Sequence, residues 1–95
     1  MKDKVIEVAG RTWHELGVKG EASSRQIASA LNENEAIVNM ALGWLAREDK
    51  VRYTQGRSEI MFSLVESELN IFREFYKRSD QKSEKSFWRK LLKRF

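Results

Sequence analysis

The side chains in this sequence best suited to chemistry are one amide and a scatter of cations. Asn39 and Arg47 belong to a stretch with helical spacing. Lys50, Arg52 and Arg57 surround a segment of alternating polarity, and Arg89, Lys90, Lys93 and Arg94 crowd the last nine residues. An amide can pair with an adenine edge, an arginine with guanine or a phosphate, and a lysine with a phosphate. The chemistry these residue types suggest is noncovalent recognition of a polyanion, with duplex DNA the expected partner, bound largely through charge.

Covalent chemistry is not suggested. Ser23 and Ser24 have no accompanying His/Asp set, no paired carboxylates flank an evident cleft, and no glycine-rich phosphate loop is present. His14 is the single histidine and there is no cysteine, so no shared imidazole or thiolate site for a metal is expected. His14 itself is expected on the surface, opposite the apolar stripe of its helix. The expectation is a protein without enzymatic activity, cofactor or metal.

Charge is distributed unevenly. Residues 1–76 hold ten Lys/Arg against twelve Asp/Glu, a balance of −2, while residues 77–95 hold eight against two, a balance of +6. The overall +4 therefore resides in the C-terminal segment, and the body is mildly acidic. No stretch approaches the roughly 20 apolar residues of a membrane span, and the N-terminus lacks the pattern of a signal peptide. A soluble cytoplasmic protein is expected.

The elements that must position these groups follow from apolar periodicity. Val5, Ile6, Ala9, Trp13 and Leu16 recur at helical spacing, with Gly17 placed to end the helix. Gly20-Glu21-Ala22 is extended at most. Ser23 with Gln26 has capping-box spacing and starts a second helix that buries Ile27, Ala28 and Leu31; Asn32 suits the turn that ends it. Asn34 is a good N-cap for a third helix reaching about Glu48. Val51 and Tyr53, then Ile60, Phe62 and Leu64, alternate on either side of Gln55-Gly56-Arg57-Ser58, which predicts a β-hairpin. Ser63 and Glu66 have capping-box spacing for a fourth helix along Val65, Leu69, Phe72 and Tyr76. The expected core is Trp13, Leu16, Ile27, Leu31, Val38, Leu42, Leu45, Val51, Ile60, Phe62 and Leu64.

Helix, short strand, helix, tight turn, helix and hairpin form the order of a winged helix-turn-helix, a mainly α fold with a small β-hairpin. The divisions are a winged helix-turn-helix domain at 1–65, a C-terminal helix at 66–78, a polar linker at 79–86 and a basic amphipathic tail at 87–95. In the tail, Phe87, Trp88, Leu91, Leu92 and Phe95 share one helical face and the cations fill the other. Such a segment can lie weakly on a membrane, grip nucleic-acid backbone, or dock its apolar stripe on protein. Docking is favoured because its aromatics and leucines are costly to leave in water, and nine residues make a poor membrane anchor.

Two stretches carry a resemblance: Ala9-Gly10-Arg11-Thr12-Trp13, and Ala41-Leu42-Gly43-Trp44-Leu45-Ala46-Arg47-Glu48-Asp49-Lys50-Val51. They resemble small stand-alone prokaryotic winged helix-turn-helix proteins of mostly unassigned function, over about residues 5–64. The resemblance implies the fold and a homodimer. It implies no function, since a fold hosts many.

The third helix should enter the major groove in such a fold. Its inward set is Val38, Ala41, Leu42 and Leu45; its outward set is Ala36, Asn39, Met40, Gly43 and Arg47, a thin surface for reading bases. Glu33 and Glu35 at the helix entry would repel phosphates, and Glu33 stands where many such motifs bury an aliphatic residue. Ile37, Met40 and Trp44 widen the apolar stripe beyond one core face. Trp44 and Ile37 either pack on the first helix or hairpin, or meet a second subunit or the fourth helix. Gly43 and Gly10 suggest close approach by a neighbour, because a mid-helix glycine costs about 1 kcal/mol against alanine. The expected interface residues are Trp44, Phe72, Phe75, Tyr76 and Trp88. The function expected is a DNA-binding, transcription-regulator-like protein; the alternative is a winged helix used as a protein-interaction or dimerisation module, its tail docking on a partner or membrane surface.

Overall fold

The third helix, on which recognition would turn, is fixed from both ends by local chemistry. A computed structural model of the chain describes the backbone of residues 2–79 and the side chains of residues 3–75. The linker beyond Ser79, the tail with Trp88, Arg89, Lys90, Lys93 and Arg94, and the Tyr76 side chain lie outside the described residues. The elements are α1 (Lys2–Lys19), β1 (Ala22–Ser23), α2 (Ser24–Leu31), α3 (Glu35–Arg47), β2 (Val51–Gln55), β3 (Ile60–Leu64) and α4 (Glu66–Ser79). This is the winged helix-turn-helix order.

α2 starts in a complete capping box, in which the Ser23 hydroxyl accepts from the Gln26 N–H at 3.2 Å and the Gln26 side chain accepts from the Ser23 N–H at 2.9 Å. It ends with Asn32 at φ 55, whose left-handed backbone lets the N–H groups of Asn32 and Glu33 return to the Ser29 and Ala28 carbonyls. Asn34 then caps α3, its Oδ1 accepting from Ala36 N–H at 2.6 Å. The same closure recurs at the end of α3: Asp49 takes φ 58, and the N–H groups of Asp49 and Lys50 return to Ala46 and Leu45. All three asparagine and serine signals in this motif act as their spacing predicts.

The three strands form an antiparallel sheet in the order β1-β3-β2, with Val51 opposite Leu64, Tyr53 opposite Phe62, and Ala22 on the far side of Phe62. At the hairpin turn the Gly56 N–H donates to the Glu59 carbonyl at 2.9 Å, and a Cβ on Gly56 would collide with that oxygen. α1 is the hub, touching α2, α3, β3 and α4. Its buried residues are Val8, Ala9, Gly10, Thr12, Trp13 and Leu16, and its apolar side chains close against Ala22, Ile27, Ala28, Val38, Ala41, Leu42, Leu45, Val51, Leu64 and Phe72.

Several expectations are corrected. Gly17 does not end α1, which continues to Lys19; the chain turns at Gly20, which has φ +86 and whose N–H donates to the Leu16 carbonyl at 2.7 Å. Gly17 instead lies beneath the Phe72 ring, where any Cβ would collide with ring carbons. Gly43 meets nothing: a Cβ there would point into open space. Ile60 is 43% exposed and Phe62 only partly buried, because the hairpin runs out past the helices and its outer residues lose cover; Leu31, the last residue of α2, is also only partly buried. Ser63 is no cap. It pairs with Arg52 inside the sheet, and the entry to α4 is held by the Val65 N–H donating to the Lys50 carbonyl at 3.1 Å. Ser79 belongs to α4 instead of a linker.

Gly17 and Gly43 should therefore respond oppositely to alanine. Gly17→Ala should lose about 1–3 kcal/mol by overpacking against Phe72, whereas Gly43→Ala should gain about 0.5–1 kcal/mol from helix propensity alone. Urea unfolding of both variants checks this; equal signs would mean that α4 does not seat on Gly17.

Candidate nucleic-acid interface

α3 presents two distinct sides. Val38, Ala41, Leu42 and Leu45 are buried against the core, and Ala36, Asn39, Met40, Gly43 and Arg47 are exposed. Beside the exposed side runs the hairpin, or wing. Side chains alternate across a strand, so Val51, Tyr53, Ile60, Phe62 and Leu64 share the face toward the helices, while Arg52 and Ser63 share the other. Along the inner face burial falls with distance from the root: Leu64 and Val51 are buried, Phe62 is half-buried, and Tyr53 is 67% exposed. The outer part of this face and α3 enclose an open groove of about 360 Å³ lined by Asn39, Leu42, Gly43, Ala46, Tyr53, Ile60 and Phe62. Apart from the Asn39 amide and the Tyr53 hydroxyl, its lining is apolar. Tyr53 and Phe62 stand together on its wall, ring centroids 6.4 Å apart.

Of the cations singled out by type, Arg47 is exposed at the end of α3, Arg52 on the outer sheet face and Arg57 at the wing tip. Lys50 is different. Its side chain is 13% exposed and its Nζ lies 3.7 Å from Glu68 Oε1. Glu68 is itself buried and accepts the Trp13 indole N–H at 2.8 Å. Lys50 is thus drawn inward as the counter-charge of a buried carboxylate, and it is withdrawn from the candidate phosphate contacts.

Glu33 is also corrected. It does not stand open at the entry of α3: its Oε2 accepts from Lys4 Nζ at 2.9 Å and from Arg11 Nη1 at 2.8 Å, while Arg11 Nη2 donates to the Leu31 carbonyl at 2.7 Å. An ion pair to α1 does here what a buried aliphatic side chain would do, holding the turn between α2 and α3 onto α1. The hydrogen bond from Lys4 holds the Glu33 carboxyl below the usual carboxylate range, against partial desolvation, with Arg11 adding to the effect. The bond to Glu33 raises the Lys4 ammonium in return. Across the wing, Arg25 on α2 meets Glu59 at 3.4 Å, and the Ser24 hydroxyl bonds Glu35 at 3.2 Å.

The residues expected at a subunit interface divide. Phe72 is 7% exposed and packs edge-on to Trp13 and to His14, at centroid separations of 5.5 and 5.6 Å. It is a core residue, and it draws His14 from the expected open surface into a half-buried position against α4. Trp44 and Phe75 are half-buried and packed on the core. The sequence signal that missed these partners is their separation: Trp13, His14 and Gly17 meet residues more than fifty positions away, beyond the reach of any local pattern.

Among the described residues no group of acidic or histidine side chains could hold a metal, and no helix is long and apolar enough to cross a membrane. The pH dependence of the Glu33 staple has a defined sign. A carboxyl depressed in the folded state contributes stability above its unfolded pKa and loses it as pH falls through its folded pKa. Glu33→Gln should therefore lower Tm near neutral pH, and the gap to the parent protein should close as the pH drops below the carboxylate range. A gap that stays constant into acid would mean that the carboxylate charge does not hold the turn.

The family model described as Winged helix-turn-helix domain (DUF2582) matches residues 1–64. The uncharacterized protein MJ1608 of Methanocaldococcus jannaschii is 48% identical over 54 residues, which cover 54% of this chain and 76% of that protein. Among solved structures, a doubly substituted mutant of Lactococcus lactis ZitR in apo form superposes with a TM-score of 0.72 at 16% identity, covering 99% of this chain and 71% of its own. NMB1585, a MarR family regulator from Neisseria meningitidis, superposes with a TM-score of 0.70 at 16% identity, covering 84% of this chain and 58% of its own. At such identities the two structures show a shared fold.

Proposed function

The chain belongs to the Winged helix-turn-helix domain (DUF2582) family, and we propose that it is a DNA-binding, transcription-regulator-like protein that holds duplex DNA chiefly by charge. One observation carries this: α3 keeps an exposed side with Asn39 and Arg47 beside a wing bearing exposed Arg52 and Arg57. The likeness of fold to a MarR family regulator supports it. α3 then lies in the groove by shape, since Ala36, Met40 and Gly43 offer no hydrogen bonds to bases. Phosphate contacts come from Arg47, Arg52 and Arg57, and from Arg89, Lys90, Lys93 and Arg94 of the tail. No catalysis is assigned. Two copies pair in the cytoplasm in this proposal, with Trp44, Phe75, Tyr76 and Trp88 as contributors and Phe72 withdrawn; sedimentation as a single 11.2 kDa species up to millimolar concentration would remove the pairing. The apolar groove favours a second reading, a winged helix used for protein contacts.

Binding to random duplex DNA across a salt series separates these readings. Each phosphate contact contributes about 0.9 to the slope of log affinity against log salt. Replacing Arg89, Lys90, Lys93 and Arg94 together by Gln should flatten the slope by about 3–4, and Arg52→Ala with Arg57→Ala by about 1–2. Asn39→Ala should change little. If Asn39→Ala abolishes a sequence-selective affinity, α3 reads bases and the charge account fails. If the unaltered chain does not bind at low salt, the protein-contact reading replaces this one.

A further inference from the structure

The groove between α3 and the wing leaves apolar surface open on the side of the fold where DNA would lie. Tyr53 and Ile60 are exposed along it, and Gly43 leaves its floor without a side chain. Exposed apolar surface of this kind, at a volume near the lower end of ligand clefts, ~300–1,000 Å³, calls for an apolar occupant. The chain carries one. At about 100° per residue, Phe87, Trp88, Leu91, Leu92 and Phe95 fall within a single arc of about 140°, and Arg89, Lys90, Lys93 and Arg94 fill the opposite arc.

We propose that residues 87–95 of the same chain dock as a helix in the α3–wing groove, apolar face down and with Trp88 thereby withdrawn from the pairing of two copies, so that their four cations line the DNA-facing side. Charge favours this placement. Exposed Glu35 stands at the start of α3, and exposed Glu48 and Asp49 follow its end, so carboxylates flank the groove-bearing helix at both ends while the segment 77–95 carries +6. Residues 80–86 between α4 and the docking segment span up to roughly 23–25 Å when extended, a reach of the same order as the shortest dimension of the fold, 23 Å. Docking converts an apolar, weakly reading surface into a phosphate-binding one, which explains how a body of charge −2 can serve DNA. This consequence for DNA rests on the DNA-binding reading above; the docking does not.

The test uses the full chain, and the lack of native cysteines makes a single label specific. A nitroxide on Lys90→Cys in the 15N-labelled protein should broaden the amide signals of Gly43, Ile60 and Phe62 strongly. Adding Gly43→Leu, whose side chain enters open space and so leaves the fold intact, should restore those signals and weaken duplex affinity several-fold. Absence of broadening at the groove, or broadening that Gly43→Leu leaves unchanged, overturns the proposal. So does broadening that persists when label and 15N are on different molecules, since the occupant would then be a second copy. Docking without any duplex binding would sink the DNA reading alone, and duplex binding without docking would sink this inference alone.

Discussion

The indole N–H of Trp13 has to be satisfied inside the protein. Trp13 is fully buried at the centre of α1, and an unpaired polar group there would forfeit its hydrogen bond to water with nothing in exchange. Glu68 of α4 supplies the acceptor at 2.8 Å, but a carboxylate that is only 6% exposed needs compensation of its own. Lys50, at the junction of α3 and the wing, provides the opposite charge. One chain of contacts thus joins the hub helix, the last helix and the root of the wing. Phe72, one turn beyond Glu68, completes the seating by lying over Gly17 and against Trp13. α4 is an integral part of the body, although the family model stops at residue 64.

That requirement shapes the functional surface. Lys50 would be the cation closest to the wing root, and it is committed inward. Glu33, which would otherwise repel phosphates at the entry of α3, is committed to Lys4 and Arg11. The winged face keeps Arg47, Arg52 and Arg57, and Arg52 is on the sheet face away from the groove. A face so sparing in cations and so apolar between α3 and the wing is better suited to be filled than to read bases. The location of positive charge in the chain and the location of open apolar surface in the fold then point to the same arrangement, in which the one covers the other.

What was legible in the sequence was local. Ser23 with Gln26, Asn32, Asn34 and the inward set of α3 follow from capping and periodicity, which depend on residues within one or two turns. The candidate site was legible only in part. Period-two alternation assigns Ile60 and Phe62 to the inner face of the wing but does not fix how far the wing outruns the helices, so the groove has no signature in the sequence. Gly17 and Gly20 are equally good helix terminators by type; the Phe72 ring decides between them. Lys50, Glu33 and Phe72 depart from their local signals for one common reason. Each is governed by a partner brought from elsewhere in the chain, and neither charge nor hydrophobicity names that partner.

Hydrogen exchange of the Trp13 indole N–H under native conditions tests the central requirement most directly. If the Glu68 bond is the junction on which α1, α4 and the wing root depend, this proton should exchange only through global unfolding, with the same free energy and urea dependence as the slowest amides of α3. Exchange at a lower free energy, in step with the amides of α4, would contradict the account by showing that α4 leaves the body while the rest of the fold persists.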